Sequence, residues 1–233
     1  MKTAFMSEKW NIVLTCEHAS RLNAPECEAY IDFLDYDDHE IFDAGAEQLA
    51  NWLKDKFKAP LYSGEVSRLV IDLNRSLGKK PISKCFGSID HPEYAQLIDK
   101  YYYPFRNKVE NKIALSLPCI HLSIHSFTRS LKGQKRHTDI GILYDPQKKI
   151  EKNFSKKLID TLKKGHFTIH ANRPYRGTSD GHTTYLRKIF PKKNYLGIEI
   201  EVCQDLMVNS ISEIEELLFA GIQSAIADLE TSC

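Results

Sequence analysis

Three short apolar runs, far apart in the chain, each end on groups that carry charge or bind metals. Asn11–Cys16 leads into Glu17 and His18, Leu69–Leu73 into Asn74 and Arg75, and Cys119–Ile124 into His125 and Ser126. Such runs of Ile, Val and Leu predict buried strands. Amphipathic stretches separate them, and strands alternating with helices predict an α/β fold with a mainly parallel sheet. In such a sheet the carboxyl ends of the strands form one rim, where ligands bind. His18, Arg75 and His125 then converge there. Two imidazoles and a guanidinium in one crevice suit metal-assisted hydrolysis of an anionic substrate.

The rest of the pattern predicts one domain over residues 1–233, its mixed sheet flanked by helices. From Asp43 the spacing turns helical: Ala46, Leu49, Ala50, Leu53 and Phe57 recur at steps of three and four. Asp43 lies in the first turn, where a carboxylate suits the helix dipole, and Ala59-Pro60 ends the helix. Residues 21–38 read as irregular, and 76–92 as a long loop over the rim. Further helices are expected over Pro92–Ala114, Lys149–Lys164 and Ile211–Leu229. Further strands are expected over Cys119–His125, Asp139–Tyr144, Thr168–Ala171 and Tyr195–Val202. Residues 172–182 form a polar loop too rich in functional groups for a spacer, and no repeat or linker divides the chain.

Composition narrows the function. A net charge of +1 gives no global field for nucleic acid or an anionic membrane, and the lysine pairs are short and scattered. No apolar run approaches the roughly 20 residues of a membrane span. The start, Met1–Lys9, meets a charge early and lacks a long apolar core, so no signal peptide and a cytoplasmic location are expected. None of the six cysteines forms a Cys-x-x-Cys pair, and reduced thiols are the expectation.

Each candidate group has a plain structural alternative. His18 suits a metal or a hydrogen bond in a loop. His121 and His125 share a strand face but stand about 13 Å apart along it, so both cannot hold one metal while the strand continues. His125, at the carboxyl end, is the better ligand and His121 the structural one. The Arg75 fork, with the Asn74 amide, suits a carboxylate; it also suits an ion pair with Asp72. Glu199 and Glu201 share one face of an apolar strand, which is costly unless they serve a site or are paired. A carboxylate near a metal-bound water is a general base for hydrolysis. Cys16 beside His18 reads either as a nucleophile or as a small buried residue.

Cys16-Glu17-His18-Ala19-Ser20, Asp43-Ala44-Gly45-Ala46, Ser67-Arg68-Leu69-Val70-Ile71-Asp72-Leu73-Asn74-Arg75, Ile124-His125-Ser126, Asn172-Arg173-Pro174-Tyr175 and Gly197-Ile198-Glu199-Ile200-Glu201 together resemble the N-formylglutamate amidohydrolase family, in order and over nearly the whole chain. That family is related to zinc carboxypeptidases and aspartoacylases. The resemblance implies a zinc-carboxypeptidase-like fold, one zinc per chain and a small-molecule carboxylate substrate. It implies His18 and His125 as zinc ligands, Asn74 and Arg75 as carboxylate binders, and Glu199 as the base with Glu201 as runner-up. The related enzymes place an acid ligand three residues after the first histidine, where this chain has Arg21. Asp43 is the expected replacement, with Glu17 as the alternative. Arg173, Tyr175 and His182, in the polar loop, are expected to close on the substrate. Carboxypeptidase-like trimming and metal-free carboxylate binding are the competing readings.

Overall fold

Apolar and polar residues alternate along the central strands, and this alternation gives the sheet two unlike faces. The computed structural model describes residues 7, 9–78, 80–191 and 193–231. Most of the Met1–Lys9 start, Lys79, Lys192 and Cys233 lie outside the described residues. In chain order the elements are β1 (Asn11–Cys16), α1 (Asp38–Ile41), α2 (Ala46–Phe57), β2 (Leu61–Ser63), α3 (Pro92–Leu97), α4 (Tyr103–Leu115), β3 (Cys119–Phe127), β4 (Ser130–Leu131), β5 (Gln134–Lys135) and β6 (Ile140–Leu143). They continue as α5 (Lys149–Leu162), β7 (Ile169–Ala171), α6 (His182–Ile189), β8 (Tyr195–Cys203), α7 (Gln204–Asn209) and α8 (Ile211–Thr231). A wide helical turn, Ile98–Tyr102, joins α3 to α4.

The main sheet has the order β2-β1-β3-β8-β6-β7, and β4 and β5 pair separately. β1, β2, β3 and β8 run parallel, β6 lies antiparallel to β8, and β7 is parallel to β6. The fold is α/β, with a mostly parallel mixed sheet flanked by helices.

One face is apolar. Ile12 and Leu14 of β1, Ile120, Leu122 and Ile124 of β3, and Leu196, Ile198, Ile200 and Val202 of β8 pack in one cluster with the buried stripes of α2, α5 and α8. The expected α2 stripe, Ala46, Leu49, Ala50, Leu53 and Phe57, is buried there. The alternate positions form the second face, which starts apolar and becomes polar along the strands. Val13, Cys119 and Tyr195 join the cluster under α3 and α4. Beyond them come His121, Ser123 and His125 on β3 and Glu199 and Glu201 on β8, all buried. Register pairs Ser123 with Glu199 and His125 with Glu201.

The expected strand over Leu69–Leu73 is not a strand. Residues 67–75 are turns: the Val70 and Ile71 N–H groups donate to the Ser67 carbonyl at 3.0 and 3.2 Å, and Arg75 N–H to Asp72 at 3.1 Å. Leu69, Val70, Ile71 and Leu73 are apolar because they fill the second core. A buried turn and a buried strand leave the same short apolar run. The strand pairing with β1 is the short β2, with Leu14 opposite Leu61. The polar loop also ends one residue early, because His182 opens α6.

The expectation of reduced thiols is corrected as well. Cys27 and Cys85 form a disulfide that ties residues 21–38 to the long loop. Cys16, Cys119 and Cys203 are free and buried. Unfolding without reductant should therefore expose four titratable thiols of the six cysteines, and unfolding with prior reduction six. Six reactive thiols under both conditions would show that the bond does not form.

Candidate metal centre and active site

β1 ends at Cys16, and the turn that follows sets Glu17 and His18 at the sheet's carboxyl rim. Next to them β3 carries His125, with Ser126 beyond it. The third group comes from ahead of α2. Asp43 N–H donates to the His18 carbonyl at 3.0 Å, and the Asp43 carbonyl accepts from Ala46 N–H at 3.1 Å. Gly45 makes this turn possible with a φ of +80°; a Cβ there would stand 2.6 Å from Met207 Cβ. Asp43 thus precedes the helix instead of lying in its first turn, and it reaches back to the rim.

His18, Asp43 and His125 are buried and offer one ligand atom each, all within 4.8 Å of one another. Asp43 Oδ2 lies 2.8 Å from His125 Nδ1 and 3.4 Å from His18 Nδ1. The opposite edge of each ring is held separately. His18 Nε2 donates to Asp72 Oδ1 at 2.7 Å. His125 Nε2 stands 2.9 Å from Ser123 Oγ, whose hydroxyl donates to Glu17 Oε2 at 2.7 Å. Both rings therefore have the partner that a metal-ligating histidine needs, which fixes ring orientation and leaves Nδ1 for the ion. Two imidazole nitrogens and one carboxylate oxygen form a donor set that fits a catalytic zinc ion with an open position.

A buried carboxylate without partners costs several kcal/mol. Asp43 has four donors: the two imidazoles, Arg68 NH1 at 3.3 Å and Ser126 N–H at 3.4 Å. Burial works against its ionised form, but His18 and His125 hold it well below the usual carboxylate range. Asp72 is held low against burial by His18, Arg68 and Arg75. His125, despite burial, is pushed well above its ordinary value by Asp43 and Glu17. Its Nδ1 proton occupies the place an ion would take, so ion binding displaces a proton.

Glu17 is not with the three ligand atoms. It stands behind His125, with Oε1 accepting from His182 Nδ1 at 2.8 Å. His121 sits deeper, 2.9 Å from Thr15 Oγ1 and 2.8 Å from the Tyr195 hydroxyl, and burial lowers its pKa to about 3. Cys16 is fully buried, and burial pushes its thiol well up, which removes it as a nucleophile.

The two late carboxylates differ. Glu199 Oε1 accepts from the Thr183 hydroxyl. Glu201 Oε2 is buried with no hydrogen-bond partner. Burial raises the Glu201 pKa to about 7. Both face a cavity of about 180 Å³ lined also by His18, Asp43, Asn74, Arg75 and His125.

Of the expected substrate binders, Asn74, Arg75 and Tyr175 line this cavity. Asn74 is also structural, since its Oδ1 accepts from His182 N–H at 2.7 Å and seats the start of α6. Arg75 bonds the Asp180 carbonyl and stands 3.9 Å from Asp72, with its side chain 44% exposed. Arg173 and His182 are not brought to the cavity. The Arg173 carbonyl packs on Gly141, where a Cβ would lie 2.0 Å from it. His182 is fully buried behind Glu17, and burial lowers its pKa to about 4. Arg21, at the usual acid position of the related enzymes, pairs with Asp38 at the surface.

Arg68 and Asp72 carried no expectation at the metal. Arg68 bridges Asp43 and Asp72 and faces the cavity. The Arg68–Asp72 interval of four was the available signal, but it belongs to a turn and not to a helix or strand. Nothing in the sequence marked Thr183 as the partner of Glu199.

No curated protein matches the chain. Among solved structures, a gene product of Agrobacterium tumefaciens is 26% identical, with a TM-score of 0.78 over 96% of this chain and 93% of the other. The N-formylglutamate amidohydrolase of Ralstonia eutropha is 15% identical and shares the fold, with a TM-score of 0.66 over 98% and 97% of the two chains. The sequence profile of the N-formylglutamate amidohydrolase family matches residues 10–208. The chain belongs to the N-formylglutamate amidohydrolase family.

Proposed function

We propose that this hydrolase is a zinc-dependent amidohydrolase that cleaves the amide of an N-acyl amino acid, of the N-formyl kind or similar, with a free carboxylate. The convergence of His18 Nδ1 and His125 Nδ1 on Asp43 Oδ2 carries the reading, with each Nε2 held from behind. A divalent ion there supplies Lewis acidity, polarising a carbonyl and acidifying water. Zinc is preferred because two imidazoles and a carboxylate in a buried site suit it.

The chain's own groups divide the remaining work. Glu201, with an unpaired oxygen and a pKa near neutrality, takes the proton of the attacking water and passes it to the leaving nitrogen. The sequence favoured Glu199 for this step. Its bond to Thr183 suits it instead to accept a hydrogen bond from the substrate. Arg75 and the amide nitrogen of Asn74 hold the substrate carboxylate, and Tyr175 stands at the mouth. The proposed setting is cytoplasmic, and the Cys27–Cys85 bond weighs against it.

The metal assignment predicts about one zinc per chain, retained through dialysis. His18→Ala and His125→Ala should each lose it while keeping the fold by circular dichroism. Asp72→Asn should keep the ligands but weaken affinity by roughly 10- to 100-fold. Affinity should fall as pH falls, because a proton competes with the ion for His125 Nδ1. Full zinc occupancy in both alanine variants would refute the site.

The proton-transfer assignment predicts that Glu201→Gln keeps zinc but lowers kcat by roughly a hundredfold or more. The wild-type rate should rise with pH through the Glu201 titration, which bound zinc moves below its metal-free position near 7. Glu201→Gln should remove that limb. If Glu199→Gln is the crippled variant and Glu201→Gln turns over normally, the two roles are exchanged.

A further inference from the structure

A second, larger cavity adjoins the reacting one. It holds about 1080 Å³, against about 180 Å³ for the pocket at the ligand group. The two share Arg68, Arg75, Tyr175 and Asp180, so they lie side by side as two parts of one trough with these residues at the junction. An N-acyl amino acid needs only the smaller part, whereas a cavity of the larger size accepts a ligand of drug size or above.

The wall of the basin is built and fastened. Asp72 N–H donates to the Ile82 carbonyl at 2.8 Å, and Lys84 N–H to the Leu69 carbonyl at 2.7 Å. Ile82 N–H donates to the Tyr94 hydroxyl at 3.1 Å. Cys85 is bonded to Cys27 beneath the same wall. Leu69, Ile82, Phe86 and Leu131 give it apolar surface.

The charges of the basin do not balance. Asp72 is engaged by His18 and Arg68. The Asp180 carboxylate accepts from Ser76 N–H, and Glu40 reaches back to Asp37 N–H at the start of α1. Lys80 and Lys84 line only the part of the trough outside the reacting pocket. Among the described residues neither ammonium has a carboxylate partner. The lining carries Arg68, Arg75, Lys80 and Lys84 against Glu40, Asp72 and Asp180, and two unpaired ammonium groups over an apolar wall suit carboxylates on short aliphatic stems.

We propose that the substrate is an acidic, peptide-sized amide, one end at the His18–Asp43–His125 group and the rest along the basin, with its carboxylates on Lys80 and Lys84. This rests on the amide-hydrolase reading of that group and extends it to the class of substrate. Acidic peptides fit better than nucleic acid, because the trough offers two free cations at one end and not a continuous basic track.

The test uses the zinc-loaded full chain and two fluorescent N-formyl tetrapeptides that share a first glutamate, one continuing with three glutamates and one with three glutamines. Anisotropy measures binding with Glu201→Gln protein, and kcat/KM is measured with wild type. The acidic peptide should bind about tenfold tighter or better, about 1.4 kcal/mol, and be cleaved with a similar advantage. Joint Lys80→Glu and Lys84→Glu substitution should bring both ratios to about one, and added salt should shrink them. Equal handling of the two peptides by wild type, or an acidic preference that survives the double substitution, overturns the proposal. An oligonucleotide that displaces the acidic peptide at lower concentration than a second acidic peptide also overturns it. Acidic-selective binding lost in the double variant, without cleavage of any amide, upholds the basin and refutes the amidohydrolase reading. Cleavage of N-formylglutamate with no acidic preference refutes the basin alone.

Discussion

The Asp43 carboxylate between the His18 and His125 rings is the contact on which the rest of the site depends. It brings together three parts of the chain: the turn after β1, the turn ahead of α2 and the end of β3. Burying that charge is unfavourable until all the donors are present, so no one part of the arrangement is stable alone. The surrounding groups serve the same end. Arg68 balances Asp43 and Asp72, Asp72 fixes His18, and Glu17 fixes His125 through Ser123 while also holding His182. In this state the His125 Nδ1 proton lies where a cation would, so the site is poised to exchange one for the other.

The sheet makes this affordable. Its apolar face, closed by α2, α5 and α8, supplies hydrophobic burial without interruption. The other face is apolar near the amino ends of the strands and ionisable near their carboxyl ends. Parallel register then aligns His125 with Glu201 and Ser123 with Glu199, setting the metal group beside the acids. Strand-borne groups of this kind are held more rigidly than loop-borne ones, as a reaction centre requires. The loops supply Arg75, Tyr175 and the walls of the basin.

The parts of this structure legible in the sequence are those with a period. The α2 stripe and the alternation in β8 each repeat at a spacing that only one kind of element satisfies. Residues 69–73 misled because a buried turn has no period of its own. The His121–His125 interval was informative in the other direction, since strand rise alone separates them and His121 does bond Thr15 and Tyr195 instead. Asp43 was reached only through family resemblance, because its role depends on a turn folding back on His18. Arg173 and His182 looked functional as polar residues in a loop, yet one packs its backbone on Gly141 and the other buries its ring behind Glu17. Side-chain direction in an irregular segment is set by tertiary contacts, which composition does not record. The Cys27–Cys85 pair was hidden for the same reason, being 58 residues apart in sequence.

Zinc K-edge X-ray absorption on the zinc-loaded chain tests the central claim most directly. A first shell of nitrogen and oxygen at about 2.0–2.1 Å, with the outer-shell scattering of two imidazoles and no sulfur, is the predicted spectrum. The His18→Ala and His125→Ala chains should lose that spectrum. A sulfur shell near about 2.3 Å, or a spectrum unchanged in both variants, would contradict a centre built from His18, Asp43 and His125.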